Sequence, residues 1–345
     1  MSRVYLDHNA TTPLCVEARA AMLGAMDVLG NPSSVHNEGR AAMAIIETAR
    51  RQVSDAAGAS GADIVFTASA TEAAALAGQG YLCAGIEHEC VSAWAKAALH
   101  ADKNGHVRAQ DPKNIALQLA NSETGVVQTL PEGIAFCDAV QAFGKIPYAF
   151  SWSKAERAAI SGHKFGGPKG VGALILRQGQ EITPQLLGGG QEMGRRAGTQ
   201  NVIGIAGMGA AAEAAAHAVD QGLWDGVAEH RDWLEACLQD ATEDIVIFAQ
   251  NVDRLPNTSY FAIPGWRAET QVMQMDLAGF AVSAGSACSS GKVKTSKVLL
   301  AMGYDEIVAS SALRISLGLE TTRGEVERFA ATWIEHYRRY KQRAA

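Results

Sequence analysis

A chain of 345 residues, 48% of them hydrophobic, can bury a large core and predicts two domains, or one large domain with a smaller one appended. A net charge of −6 leaves no basic field for nucleic acid. No run approaches the roughly 20 apolar residues of a membrane span, and Met1 to Asp7 lacks the basic and then apolar regions of a secretory signal, so a soluble, cytoplasmic protein with no membrane partner is expected.

In chain order, the first helical pattern covers the Ala-rich segment 40–57, and a β-rich run follows at Ile64-Val65-Phe66-Thr67. A second helix is predicted over 71–79, and strands at Ile115 to Leu119 and at Val171 to Leu176. A third helix covers 202–219, where the Ala-rich stretch 206–216 suits the best helix former. Strands and helices alternating in this way predict an α/β fold with a mostly parallel sheet covered on both faces. From 226 onward the order changes to helix 226–240, strands near 245–248 and 257–263, helix 268–279, further strand and a final helix 323–341. That is an α+β pattern. No charge block, repeat or low-complexity linker divides the chain.

Six cysteines (Cys15, Cys83, Cys90, Cys137, Cys237 and Cys288) are scattered, with no C-x-x-C pair, which speaks against a disulfide framework or a zinc ribbon. Their default role is that of small buried hydrophobes in a reducing compartment. No metal site is expected.

The segment Ser161-Gly162-His163-Lys164-Phe165-Gly166-Gly167-Pro168-Lys169-Gly170 is the most informative. It places Ser, His and Lys on a Gly-rich turn between apolar Ala158-Ala159-Ile160 and the strand at Val171. A lysine there forms a Schiff base if its surroundings lower its pKa; otherwise it is a solvated loop residue. Asp138 follows apolar Ile134 to Cys137, and Gln141 is close behind. A strand-end carboxylate keeps a pyridine nitrogen protonated, and the alternative for Asp138 is a helix N-cap. Ala68-Ser69-Ala70-Thr71-Glu72 follows the strand at 64–67 and opens a helix, which makes either an anion site or a capping turn without a ligand. A phosphate site, a carboxylate and a lysine, all at strand ends and in that order, form a far more specific set than any one of them.

With those residues in place, the chain resembles the cysteine desulfurases of the class V aminotransferase family. The resemblance is carried by Tyr5 to Pro13, Ala70-Thr71-Glu72, Glu87-His88, Asp138 to Gln141, Ser161 to Lys164, Gly188 to Glu192 and Arg196 to Thr199. Ser283-Ala284-Gly285-Ser286-Ala287-Cys288-Ser289-Ser290 and Leu313 to Gly318 complete it, nearly end to end. The cysteine segment is similar to that of the subgroup serving nitrogenase-type and housekeeping iron–sulfur assembly.

The resemblance implies a fold-type I pyridoxal-phosphate transferase. A large cofactor-binding α/β domain would cover 14–225, and a small α+β domain would combine 1–13 with 226–345 and carry the Cys288 loop. Lys164 would hold pyridoxal phosphate covalently and later move protons at the substrate carbon. His88 would stack on the pyridine ring and assist proton transfer. Asp138 would pair with the ring nitrogen and Gln141 with the phenolic oxygen. Ala70, Thr71, Ser161 and His163 would bind the phosphate, and Thr199 would reach the phosphate of the neighbouring subunit in a homodimer. Arg314 would clamp the substrate carboxylate, with Asn121 and Ser122 beside the substrate. Cys288 would attack the sulfur of L-cysteine, becoming a persulfide and leaving L-alanine. The persulfide would pass to an acceptor protein, an iron–sulfur scaffold being one candidate.

The chain departs from the family pattern in places. Ser122 stands where relatives carry a second asparagine, and the stretches between Ala74 and His88 and between Glu123 and Asp138 are short. Relatives also carry a longer tail that helps dock the scaffold protein. The rival readings are a selenocysteine lyase or transaminase of the same fold, and a non-catalytic, cofactor-binding sulfur-handling partner.

Overall fold

A computed structural model describes residues 3–78, 80–109, 111–285 and 294–344, so Cys288 lies outside the described residues. The main sheet has five strands: β1 (Asp63–Thr67), β2 (Ala116–Gln118), β3 (Phe136–Asp138), β4 (Arg157–Ser161) and β5 (Gly172–Leu176). Their spatial order is β1-β5-β4-β3-β2. β2, β3 and β4 pair in parallel, while β5 is antiparallel to both β4 and β1. β1 therefore points the same way as β2, β3 and β4, and the mostly parallel sheet expected from sequence is found with β5 as its reversed member.

The strand side chains alternate between two cores. Ile64, Phe66, Ala158, Ile160, Ala173 and Ile175 belong to one, and Val65, Ala159, Leu174 and Leu176 to the other. Burial on both faces is why these strands read as continuous apolar runs. The helices include α1 (Val16–Met26), α2 (Asn37–Ala56), α3 (Ala70–Ala77), α4 (Glu89–Ser92), α5 (Val202–Asp220), α6 (Leu223–Ala241), α7 (Ala268–Leu277) and α8 (Arg323–Ala344).

α1, α2 and α5 pack together over the first face, and α3 lies on the second. α2 buries Ala42, Ile46, Ala49 and Val53, a stripe at helical spacing. α5 approaches α2 closely because Gly209 has no side chain: a Cβ there would stand 2.6 Å from Ala49 Cα. α5 is also long and apolar enough to cross a membrane, which corrects the expectation that no segment comes near that length; over half of its apolar window is buried within the protein. α1 offers no core-facing stripe in sequence, and the reason is visible here. Val16, Leu23 and Met26 are exposed, and Ala18 and Ala25 are its buried residues.

A separate core gathers Val4, Leu6, Leu234, Leu238, Phe261, Trp266, Phe280, Leu313, Ile315, Phe329 and Trp333. Its sheet pairs β7 (Thr258–Ala262) antiparallel with β6 (Val246–Ile247) on one side and β8 (Ala312–Ser316) on the other. Val4–Tyr5 pairs in parallel with Phe280–Ala281, and Asp7 bridges to Ser316, so the N-terminal segment runs from this core toward the main sheet.

Gly318, just past β8, lies against the buried ring of His8: a Cβ there would stand 2.1 Å from His8 Cε1. Gly318→Ala is therefore expected to cost about 1–3 kcal/mol of stability. The measurement is the urea midpoint at unchanged m-value. A midpoint equal to that of the parent protein would mean that His8 steps aside freely.

Candidate active site

Strands that run the same way end at the same edge of a sheet, and open α/β sheets bind ligands beyond those carboxyl ends. Residues at or just beyond the ends of β1, β2, β3 and β4 line one cavity of about 510 Å³. β1 leads into α3 through a reciprocal cap: Ser69 Oγ accepts the Glu72 N–H (3.3 Å) and Glu72 Oε2 accepts the Ala68 N–H (2.7 Å). The cap leaves Ala70 and Thr71 on the cavity wall at the positive end of the helix dipole, a place suited to phosphate.

β3 ends in Asp138, which is 7% exposed. Its Oδ1 accepts the Val140 N–H at 3.0 Å, and it joins no salt bridge among the described residues. Burial pushes its carboxyl pKa up, while that N–H, the neighbouring His88 ring and Lys164 oppose the rise. A buried carboxyl of this kind fits the protonated nitrogen of a pyridine ring. Gln141 lines the same wall, oriented by its own partners: Nε2 donates to Asn9 O (2.9 Å), and Oε1 accepts from Lys145 Nζ (2.7 Å).

β4 ends in Ser161 and turns at once through the single 3₁₀ turn Gly162–Lys164. Lys164 Nζ donates to the carbonyls of Asn9 (2.7 Å) and Ala10 (2.9 Å), which pins the amine at the cavity beside the N-terminal segment. His163 Nδ1 lies 3.3 Å from Thr11 Oγ1. Burial, with Lys164, Lys169 and Lys145 nearby, lowers its pKa to about 4, so the ring is neutral at pH 7. His88 caps α4 and also faces the cavity.

Past β2, Asn121 is buried and holds a turn. Its Oδ1 accepts the N–H groups of Glu123 (2.9 Å) and Thr124 (2.8 Å), and Nδ2 donates to Ile86 O (3.1 Å). Its neighbour Ser122 lines the cavity, as does Arg314, which reaches across from β8. Arg314 Nη1 donates to Ser122 O (2.9 Å) and Nη2 to Asp7 Oδ1 (2.7 Å), while its buried Nε–H lacks a partner among the described residues. An unmet guanidinium donor in a cavity wall suits a carboxylate. Thr199 is exposed and is not among the described residues lining this cavity.

The structure thus brings Ala70, Thr71, His88, Ser122, Asp138, Gln141, Ser161, His163, Lys164 and Arg314 to one cavity. Two further residues, given no role by the sequence reading, organise it. Buried Asn9 accepts Lys145 Nζ (3.2 Å) and Asn257 Nδ2 (3.1 Å) on its side-chain oxygen and donates to Thr258 Oγ1 (2.9 Å). Lys145 is buried among these neutral amides, and burial, with Lys164 and Arg314 near, drives its pKa well below that of an ordinary lysine. The only local signal for Lys145 is its place four residues after Gln141.

A helix start for phosphate, a buried carboxyl for a pyridinium and a pinned lysine amine fit pyridoxal phosphate. Residues 4–329 match the aminotransferase class-V family. A cysteine desulfurase of Cereibacter sphaeroides is 38% identical over 95% of this chain and 94% of its own length. Cysteine desulfurase IscS of Dictyoglomus turgidum is 35% identical, covering 94% of this chain and 91% of its own. Among solved structures, a NifS-like protein from Rickettsia africae superposes with a TM-score of 0.88 at 32% identity, covering 97% of this chain and 99% of that one. SspA in complex with cysteine superposes at 0.75 with 26% identity, over 92% of this chain and 100% of that one. The chain belongs to the class-V aminotransferase family and has its fold-type I architecture. Within that family it is similar to the cysteine desulfurases, and its cofactor is pyridoxal phosphate.

Proposed function

We infer that this chain is a pyridoxal-phosphate-dependent cysteine desulfurase that takes sulfur from L-cysteine and releases L-alanine. The observation that carries the reading is the shared cavity of Lys164, Asp138 and Arg314 in a chain similar to cysteine desulfurases along nearly its whole length. When bound, the cofactor supplies an electron sink for negative charge at the substrate's α-carbon. Asp138 holds the ring nitrogen's proton, and Ala70, Thr71, Ser161 and His163 bind the phosphate. The second hydrogen of the Gln141 amide, which meets no acceptor among the described residues, would serve the phenolic oxygen. Arg314 orients the substrate carboxylate next to Ser122, and Lys164 moves a proton at the α-carbon.

Cys288 is the sulfur-accepting thiol. Its Sγ bonds to the substrate sulfur as the carbon–sulfur bond breaks; the proton balance leaves a persulfide on Cys288 and a methyl group on alanine. Gly285, three residues earlier in the chain, lines the cavity, which supports this assignment. The persulfide passes to an acceptor protein, with iron–sulfur assembly as the proposed destination. A two-domain division, 14–225 against 1–13 with 226–345, is supported by Val4 and Leu6 packing in the same core as Phe261 and Trp333.

The enzyme works as a homodimer on this reading. Val16, Leu29, Val35, Leu187 and Met193 are exposed apolar residues on α1, the segment after it and the 186–193 stretch. The last two of these segments touch, since Gln191 Nε2 donates to Ser33 Oγ (3.2 Å). Such a face suits a second copy of the chain, and Thr199 follows the same stretch. Five free thiols among the described residues support a reducing, cytoplasmic location.

The test is alanine release from L-cysteine by the cofactor-loaded protein with a reductant, beside Cys288→Ala. Alanine from the parent protein that falls to background in Cys288→Ala is the expected result. Alanine that survives the substitution would remove Cys288 from the reaction, and bound cofactor without alanine would point to the non-catalytic partner or another amino-acid substrate.

A further inference from the structure

We propose that Cys90 is a positioning residue for His88, holding its imidazole neutral with the proton on Nε2 and the Nδ1 lone pair turned toward the start of α4. The Cys90 backbone N–H donates to His88 Nδ1 at 3.2 Å, and the Cys90 thiol lies 3.0 Å from the same nitrogen. A backbone N–H can only donate, so Nδ1 must present its lone pair. A thiolate–imidazolium pair would put a proton on Nδ1 and set two N–H groups against each other. Burial raises the Cys90 pKa, against the opposing effect of its bond to His88, so the sulfur keeps its hydrogen and serves as a second donor. Glu87, Glu123 and Asp138, the buried carboxyls in electrostatic reach of the ring, are each pushed toward their neutral forms by burial.

In this tautomer the ring's one N–H is on Nε2, on the side away from α4. His88 and Cys90 both line the cavity, so the tautomer decides which proton is offered there. Cys90 is thereby a weak donor and not a nucleophile, which separates its role from the one proposed for Cys288. The inference rests on the reading that His88 serves proton transfer at the cofactor.

The experiment is two-bond ¹⁵N–¹H correlation on histidine-labelled protein, with and without pyridoxal phosphate, His88 being assigned by the signals lost in His88→Gln. A protonated Nε2 with an unprotonated Nδ1 between about pH 6 and 8 is expected. Removing one weak donor in Cys90→Ala should reduce the Nε2–H share and lower kcat about 2- to 10-fold with KM unchanged, and Cys90→Ser should restore both. A proton on Nδ1 in the parent protein, or a Cys90→Ala protein unchanged in tautomer and kcat, would overturn the proposal. If His88→Gln turns over normally while the tautomer is as inferred, the positioning stands and the proton-transfer reading of His88 falls.

Discussion

Lys164→Ala is expected to lower alanine release from L-cysteine by about 10³–10⁴-fold, the upper part of the range for one positioned proton-transfer group. The size follows from placement. Two carbonyls, 2.7 and 2.9 Å away, fix the amine at the end of β4, facing the wall that carries Asp138 and Gln141. A methyl group there neither holds the cofactor covalently nor moves a proton, and water filling the gap lacks the fixed geometry. Lys164→Arg should fail to rescue, because a guanidinium stays charged and is neither nucleophile nor base. The checks are the visible absorbance band after adding pyridoxal phosphate, which should be lost or shifted, and single-turnover alanine. A loss of less than tenfold would take the proton-transfer role away from Lys164.

The parts of this site that were legible in sequence are those whose meaning is local. Asp138 closes a short apolar strand, Lys164 sits on the turn just past another, and Thr71 lies in the first turn of a helix directly after a third. Parallel strands then bring those ends to one edge without any long-range contact having to be guessed. Asn9 is different. Its partners Lys145, Ser122, Thr258 and Asn257 are more than a hundred residues away in the chain, and nothing in Asp7-His8-Asn9 announces them. His88 could be singled out by resemblance, but its caps could not, since α4 is only four residues long and has no periodic pattern. Cys90 was read as one small buried hydrophobe among several, and it is buried; its thiol matters through a 3.0 Å contact that composition does not encode. α1 escaped prediction for the opposite reason, because its apolar residues face outward. Patterns of burial reveal helices that feed a core and are silent on helices that present an apolar surface.

The same distance from sequence applies to the ion pair that should govern stability most strongly. Glu235 on α6 and Arg254 form two parallel hydrogen bonds, 2.8 and 2.9 Å, with side chains only 2% and 4% exposed. The chain on either side of Arg254 is tied to the site turn: Val127 N–H donates to Asp253 O (2.9 Å), and Leu255 N–H to Gly125 O (2.8 Å). Glu235→Ala leaves a guanidinium buried without its counter-charge and is expected to cost about 3–5 kcal/mol. It should also raise KM for L-cysteine, because the turn it loosens carries Ser122, whose carbonyl holds Arg314. Replacing both partners by apolar residues of similar size, Glu235→Leu with Arg254→Met, should recover most of the lost stability, since the unpaired charge is gone. Urea unfolding of the two single variants and the double variant measures the coupling directly. A Glu235→Ala protein as stable as its parent would mean that water or a moving side chain reaches Arg254. Equal losses in the single and double variants would mean that packing, not the ion pair, sets the cost.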